Sequence, residues 1–195
     1  PGFPQCRRVA RMMPPVPSAE PAAPRLRANG WIAVAALLVL HVGLAIWAVA
    51  DKSVTADEIL HVTGGYFFDR YGDYRIQPEN GVLPQRLAAL PAVLSHAPAP
   101  PLQDNVYWTV SESQVIGYQF FYETGRDHWP ILMGGRAIMA LFSAATGALI
   151  FWWSRRLFGT AAGFFSLTLY ALCPNVLAHA PLTTSDTTAV FFLLA

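Results

Sequence analysis

Apolar and polar positions along the chain resolve into four apolar runs, separated by one long polar interval and two short ones. The first three runs cover 31–50, 131–153 and 161–178; the second contains a single charge, Arg136, and the third carries Pro174 near its end. A helix rising 1.5 Å per residue needs about 20 apolar residues to cross a hydrocarbon core of about 30 Å. Each run therefore predicts a membrane span. The fourth, 187–195, covers less than half a bilayer. Together with a first residue that is Pro, this reads as the N-terminal part of a longer chain. The predicted fold is all-α, a polytopic transmembrane helical bundle.

The interval 51–130 is too long for a simple connector, and it carries helical patterns of its own. Leu83, Leu87, Leu90 and Leu94 recur at helical spacing with Gln85 and Arg86 turned away, which suits a helix lying in the membrane interface; Pro91 is expected to end or kink it. A second helix is predicted over 57–70, with Thr55 as its N-cap and Glu58 three residues later completing a capping box. The stretch 97–130 receives no assignment. Within the second span, Ala140, Ala144 and Ala148 recur every four residues beside Ser143 and Gly147, a spacing that lets helices approach closely in lipid.

Composition supports a lipid environment, since 54% of the residues are hydrophobic and only 13% charged, against about 25% charged in ordinary soluble domains. Charge placement then orients the chain. Arg7, Arg8, Arg11, Arg25 and Arg27 precede the first span, and Arg155 and Arg156 lie between the second and third, so both segments are expected in the cytoplasm. Residues 1–28, rich in Pro, Ala and Arg, read as a disordered cytoplasmic tail, and 29–195 as the membrane domain. The first apolar run exceeds the 7–15 residues of a signal-peptide core. By alternation, 51–130 and 179–186 lie outside, where nearly all the acids fall. A formal net charge of +1, so segregated, offers no surface for nucleic acid. Cys6 and Cys173 fall at different depths and predict no disulfide.

This topology brings Asp57, Glu58, His61, Glu79 and Asp186 to one face of the membrane. Carboxylates gathered there could supply a general base to a hydroxyl and hold a divalent cation, for which oxygen ligands favour Mg or Mn. Helix capping alone also accounts for Asp57 and Glu58, because acids in a first turn are stabilised by the helix dipole. Arg136, at the outer end of its span, is either a functional charge or a side chain snorkelling to the interface. His41, midway along the first span, reads as a packing or interhelical hydrogen-bonding residue. Trp152, Trp153, Phe158, Phe164 and Phe165 suit an interfacial aromatic belt.

The segments DEILHVTGGY from Asp57 and QPENGVLPQRLAALPAVL from Gln77 resemble the first external loop of the GT-C membrane glycosyltransferases that use polyprenyl-phosphate sugars. Among these are the protein O-mannosyltransferases and the aminoarabinose transferases of lipid A. The stretch from Gly135 to Asp186, which ends in APLTTSD, resembles that family's second and third spans and the loop after them. The resemblance covers 31–195, the N-terminal part of such an enzyme.

It implies inverting glycosyl transfer from a lipid-linked donor to a protein, lipid or glycan acceptor at the outer face of a bacterial inner membrane. Asp57 is then the catalytic base and Glu58 its support. Arg136 contacts the donor phosphate, His61 and Asp186 line the substrate pocket, and Glu79 belongs to a metal or donor site. The family's Pro-Glu-His-Pro-Pro-Leu pattern is broken here, since Glu79 is followed by Asn80, Gly81, Val82 and Leu83. The competing classes are a polytopic transporter, which concentrates polar groups near mid-bilayer, and a non-catalytic membrane assembly subunit.

Overall fold

A computed structural model describes residues 26–195. The predicted cytoplasmic tail, apart from its last three residues, and Cys6 lie outside them. All regular structure among the described residues is helical. In chain order it comprises α1 (Ala28–Val49), α2 (Ala56–Tyr71), α3 (Val82–Leu94), α4 (Val106–Thr109), α5 (Ser113–Tyr118), a π-helical turn (Gln119–Glu123), α6 (Trp129–Phe158), α7 (Thr160–Leu172), α8 (Pro174–His179) and α9 (Asp186–Leu194).

Two of these helices, α1 and α6, are long and apolar enough to cross a membrane. The most apolar stretch of α1 has a mean hydropathy of 2.5, yet only 22% of it is buried, and Ile32, Val39 and Trp47 are exposed. An apolar surface of that extent needs an apolar phase to cover it, which a helix in a soluble core finds in its neighbours. The third predicted span is not one continuous helix. It breaks at Cys173, because Pro174 lacks an N–H and pushes the preceding residue out of the helical region; Cys173 sits at φ −66°, ψ 121°. At 13 residues, α7 is too short to span alone.

The buried stripe of α6 runs through Arg136, Met139, Ala140, Ser143, Thr146, Gly147 and Phe151, which is helical periodicity toward α1, α7 and α9. A Cβ at Gly147 would lie 3.1 Å from Leu38 and 3.2 Å from Tyr170, so the small residue sets how closely these helices meet. The predicted small-residue face is thus partly right. Ala144 and Ala148 stand at its margin.

The segment between α1 and α6 folds as a unit with its own core. Val62, Tyr66 and Phe67 of α2 pack with Ala88, Ala89 and Ala92 of α3, and with Ile116, Phe120, Phe121 and Leu132. Stretch 97–130, unassigned from sequence, supplies α4, α5 and the π turn that close this core. In α3, Leu83, Leu90 and Leu94 are exposed, Leu87 packs against this core, and Gln85 turns inward rather than away. Its Nε2 donates to the carbonyls of Gln77 (2.9 Å) and Asn80 (3.1 Å), tying the Pro-Glu segment to α3. Pro91 does not end α3, which runs to Leu94; its ring rests where Gly134 of α6 has no side chain.

Candidate functional site

The predicted capping box forms. The Thr55 hydroxyl accepts the Glu58 N–H (3.4 Å), and Glu58 Oε2 accepts the Thr55 N–H (3.0 Å), so α2 starts where the spacing places it. This start fixes the directions of two adjacent acids. Glu58 is fully buried, while Asp57 points outward and is exposed.

Glu58 meets Arg136, which is likewise fully buried. The guanidinium grips the carboxylate with two parallel bonds, Nε to Oε1 at 2.9 Å and Nη2 to Oε2 at 2.8 Å. Its remaining N–H groups donate to the carbonyls of Val49 (3.0 Å), Lys52 (2.9 Å) and Ser53 (2.9 Å). An arginine has five such donors, and all five are used. Arg136 therefore neither snorkels nor keeps an N–H for the donor phosphate expected of it in this arrangement. It satisfies the Lys52 and Ser53 carbonyls beyond the end of α1 and adds a second bond to the Val49 carbonyl, which also takes the Lys52 N–H at 3.1 Å. The loop before α9 joins the same pair, as the Thr183 N–H donates to Glu58 Oε1 at 3.3 Å. With donors on both oxygens, Glu58 is an anchor.

A second set of bonds lies one turn along α2. His61 Nδ1 is 2.9 Å from the backbone carbonyl of Asp57. A carbonyl only accepts, so Nδ1 carries the proton. His61 thus touches the main chain of Asp57 and not its carboxylate. Its Nε2 lies 2.9 Å from the Ser185 hydroxyl, which is itself 3.2 Å from Asn80 Oδ1. Three segments far apart in sequence are joined here: the start of α2, the Pro-Glu segment and the loop before α9.

The joining residues are the sequence neighbours of the expected acids. Glu58, Asn80 and Ser185 are bonded inward, whereas Asp57, Glu79 and Asp186 are exposed beside them. Asp186 accepts from the Thr184 hydroxyl at 3.3 Å and also lines a cavity of about 250 Å³ between α6, α7, α8 and α9. His179, Asn175, Tyr170, Ser143 and Thr146 also line the space. Among the described residues no three His, Cys, Asp or Glu side chains gather as metal ligands. The metal expected at Glu79 therefore has no ligand set in this arrangement, and no step below is routed through one.

Sequence reading missed Thr183, Ser185 and Asn80 as structural partners. Asn80 stood out only as a departure from the His of the resembling pattern, and Thr183 and Ser185 only as part of the segment APLTTSD. Compared with known protein families, curated proteins and solved structures, the chain matches none.

Proposed function

We propose that the chain forms part of a polytopic membrane glycosyltransferase. It would move a sugar from a polyprenyl-phosphate donor to an acceptor hydroxyl at the outer face of a bacterial inner membrane, with its N-terminus in the cytoplasm. The observation that carries this reading is the contrast between two neighbouring carboxylates. Glu58 is locked to Arg136, Thr55 and Thr183, and Asp57, on the same rigid helix start, is left open to the aqueous side.

A general base needs that combination of fixed position and free lone pairs. Asp57 takes the proton of the acceptor hydroxyl as that oxygen bonds to the anomeric carbon. The bond from that carbon to the phosphate oxygen breaks on the opposite face, which inverts the centre and leaves the lipid phosphate. Exposed Asp186 and Glu79 border the same edge and serve as substrate contacts, and Arg136 acts by holding Glu58 and the end of α1.

Replacing Asp57 by Asn in the intact protein removes the proton acceptor with little change of shape. Turnover with a polyprenyl-phosphate sugar is expected to fall by about 10²–10⁴-fold, with donor binding retained. Undiminished turnover would reject the base role. A transporter is the second reading, and the broken helix α7–α8 with its polar neighbours in the apolar layer favours it. Under that reading Asp57→Asn leaves transfer chemistry absent in wild type and variant alike.

A further inference from the structure

Polar groups that the outer edge does not use collect about His41, in the middle of α1. The break before Pro174 leaves the last carbonyls of α7 without helical partners. The Tyr170 carbonyl takes the Cys173 N–H at 3.3 Å. The Ala171 carbonyl takes His41 Nδ1, at 3.0 Å and fully buried. Because that oxygen can only accept, Nδ1 bears the proton.

Nε2 is 2.8 Å from the Ser143 hydroxyl, which is 2.8 Å from the Tyr170 hydroxyl; the latter donates to the Ser143 carbonyl at 3.0 Å. None of the groups bonded to the ring is a carboxylate, and an unpaired buried cation is costly, so the ring is neutral and Nε2 accepts from Ser143. His41 thus joins α1, α6 and α7 through one tautomer.

We propose that His41 is a positioning residue that caps the broken end of α7 and thereby sets the height of α8 and of the loop 180–185. That loop delivers the Thr183 N–H to Glu58 and the Ser185 hydroxyl to His61. The reference for both ends is α1. Its His41 holds the break, it packs against α8, and eight residues further on its Val49 carbonyl binds Arg136. The device rests on these bonds alone and is independent of the transfer reaction.

The test compares three substitutions by amide hydrogen exchange of the segment 180–185 in the detergent-solubilised intact protein. An Asn amide nitrogen occupies the place of Nδ1 and can still cap Ala171. A Gln amide reaches only the place of Nε2, and Leu bonds to neither. Exchange is expected to quicken about tenfold in His41→Leu and His41→Gln, because a buried carbonyl loses its donor, and to stay within about twofold of wild type in His41→Asn. A role in packing alone would reverse the order, since Gln and Leu fill the site better than Asn.

Wild-type exchange in the Leu or Gln variant, or Asn exchanging as fast as Leu, overturns the proposal. Should a variant fail to fold, the ¹⁵N spectrum of histidine-labelled wild type decides, with His41 assigned through its contact with the Tyr170 ring, 5.5 Å between centroids. A neutral ring protonated on Nδ1 is expected, and a ring protonated on Nε2 overturns it.

Discussion

Replacing Arg136 by Met is expected to lower the stability of the purified protein by about 3–5 kcal/mol, read from its thermal or denaturant unfolding. The change removes five hydrogen bonds at once and leaves the Glu58 carboxylate fully buried with only the Thr55 and Thr183 N–H groups beside it. Lysine in its place keeps the charge but supplies a point ammonium with three donors instead of a planar fork, so Arg136→Lys should fall between Met and wild type.

The double variant Arg136→Met with Glu58→Gln separates the two parts of the effect. It removes the buried charge, yet the Lys52 and Ser53 carbonyls lose their donor and Val49 keeps only the Lys52 N–H, so stability should recover only in part. A loss below about 1 kcal/mol for Arg136→Met would place the guanidinium in water or against a mobile partner, contrary to the geometry.

The second large effect is expected at Gly65. A Cβ there would overlap the backbone carbonyl of Gln85 and lie 2.9 Å from the Ala89 Cβ, so α2 and α3 would have to move apart. Alanine is the better helix former by about 1 kcal/mol, which opposes this cost. Overpacking against a backbone cannot be relieved by a rotamer change, so a net destabilisation of about 1–3 kcal/mol is predicted from the same unfolding measurements.

Gly64 is the internal control. A Cβ there meets the side-chain oxygen of Gln85, which can turn aside only by giving up the Nε2 bonds to Gln77 and Asn80, so Gly64→Ala should destabilise, but by less than Gly65→Ala. Equal tolerance at both positions would mean that α2 and α3 are not in direct backbone contact. The exposed acids beside the site would then lose their fixed spacing.

These contrasts show how much was legible in the chain. The extent of α1, the Thr55–Glu58 box and the gathering of the Asp57, Glu79 and Asp186 segments all follow from local rules, while α6 runs past the expected end at 153 to Phe158 and takes Arg155 and Arg156 into its last turn. Periodicity, capping and alternation of apolar runs depend on a few neighbouring residues. The inward face of α3 was misjudged because leucine is the stronger apolar signal, whereas the packed face is made of Ala88, Ala89, Ala92 and Gln85 set against Gly64 and Gly65. Small residues win there through close approach, which no hydropathy value records.

Arg136 was legible as a special charge but not as an anchor. Its role depends on three carbonyls more than 80 positions away in the chain, and carbonyls have no sequence signature. The same holds for His41, whose partner is the Ala171 carbonyl freed by a proline three residues later. In both cases the missing information was a main-chain oxygen left without its helical donor.

The most direct measurement is the sidedness of Asp57 and Asp186 in the native membrane. In protein lacking its own cysteines, Asp57→Cys, Asp186→Cys and Arg156→Cys are introduced singly and treated in intact cells with a membrane-impermeant thiol reagent. The proposed topology predicts that Asp57→Cys and Asp186→Cys both react from outside while Arg156→Cys reacts only after the membrane is opened. Reaction of Asp57→Cys and Asp186→Cys from opposite sides would contradict a shared outer edge, and with it the site built on Glu58, His61 and Ser185.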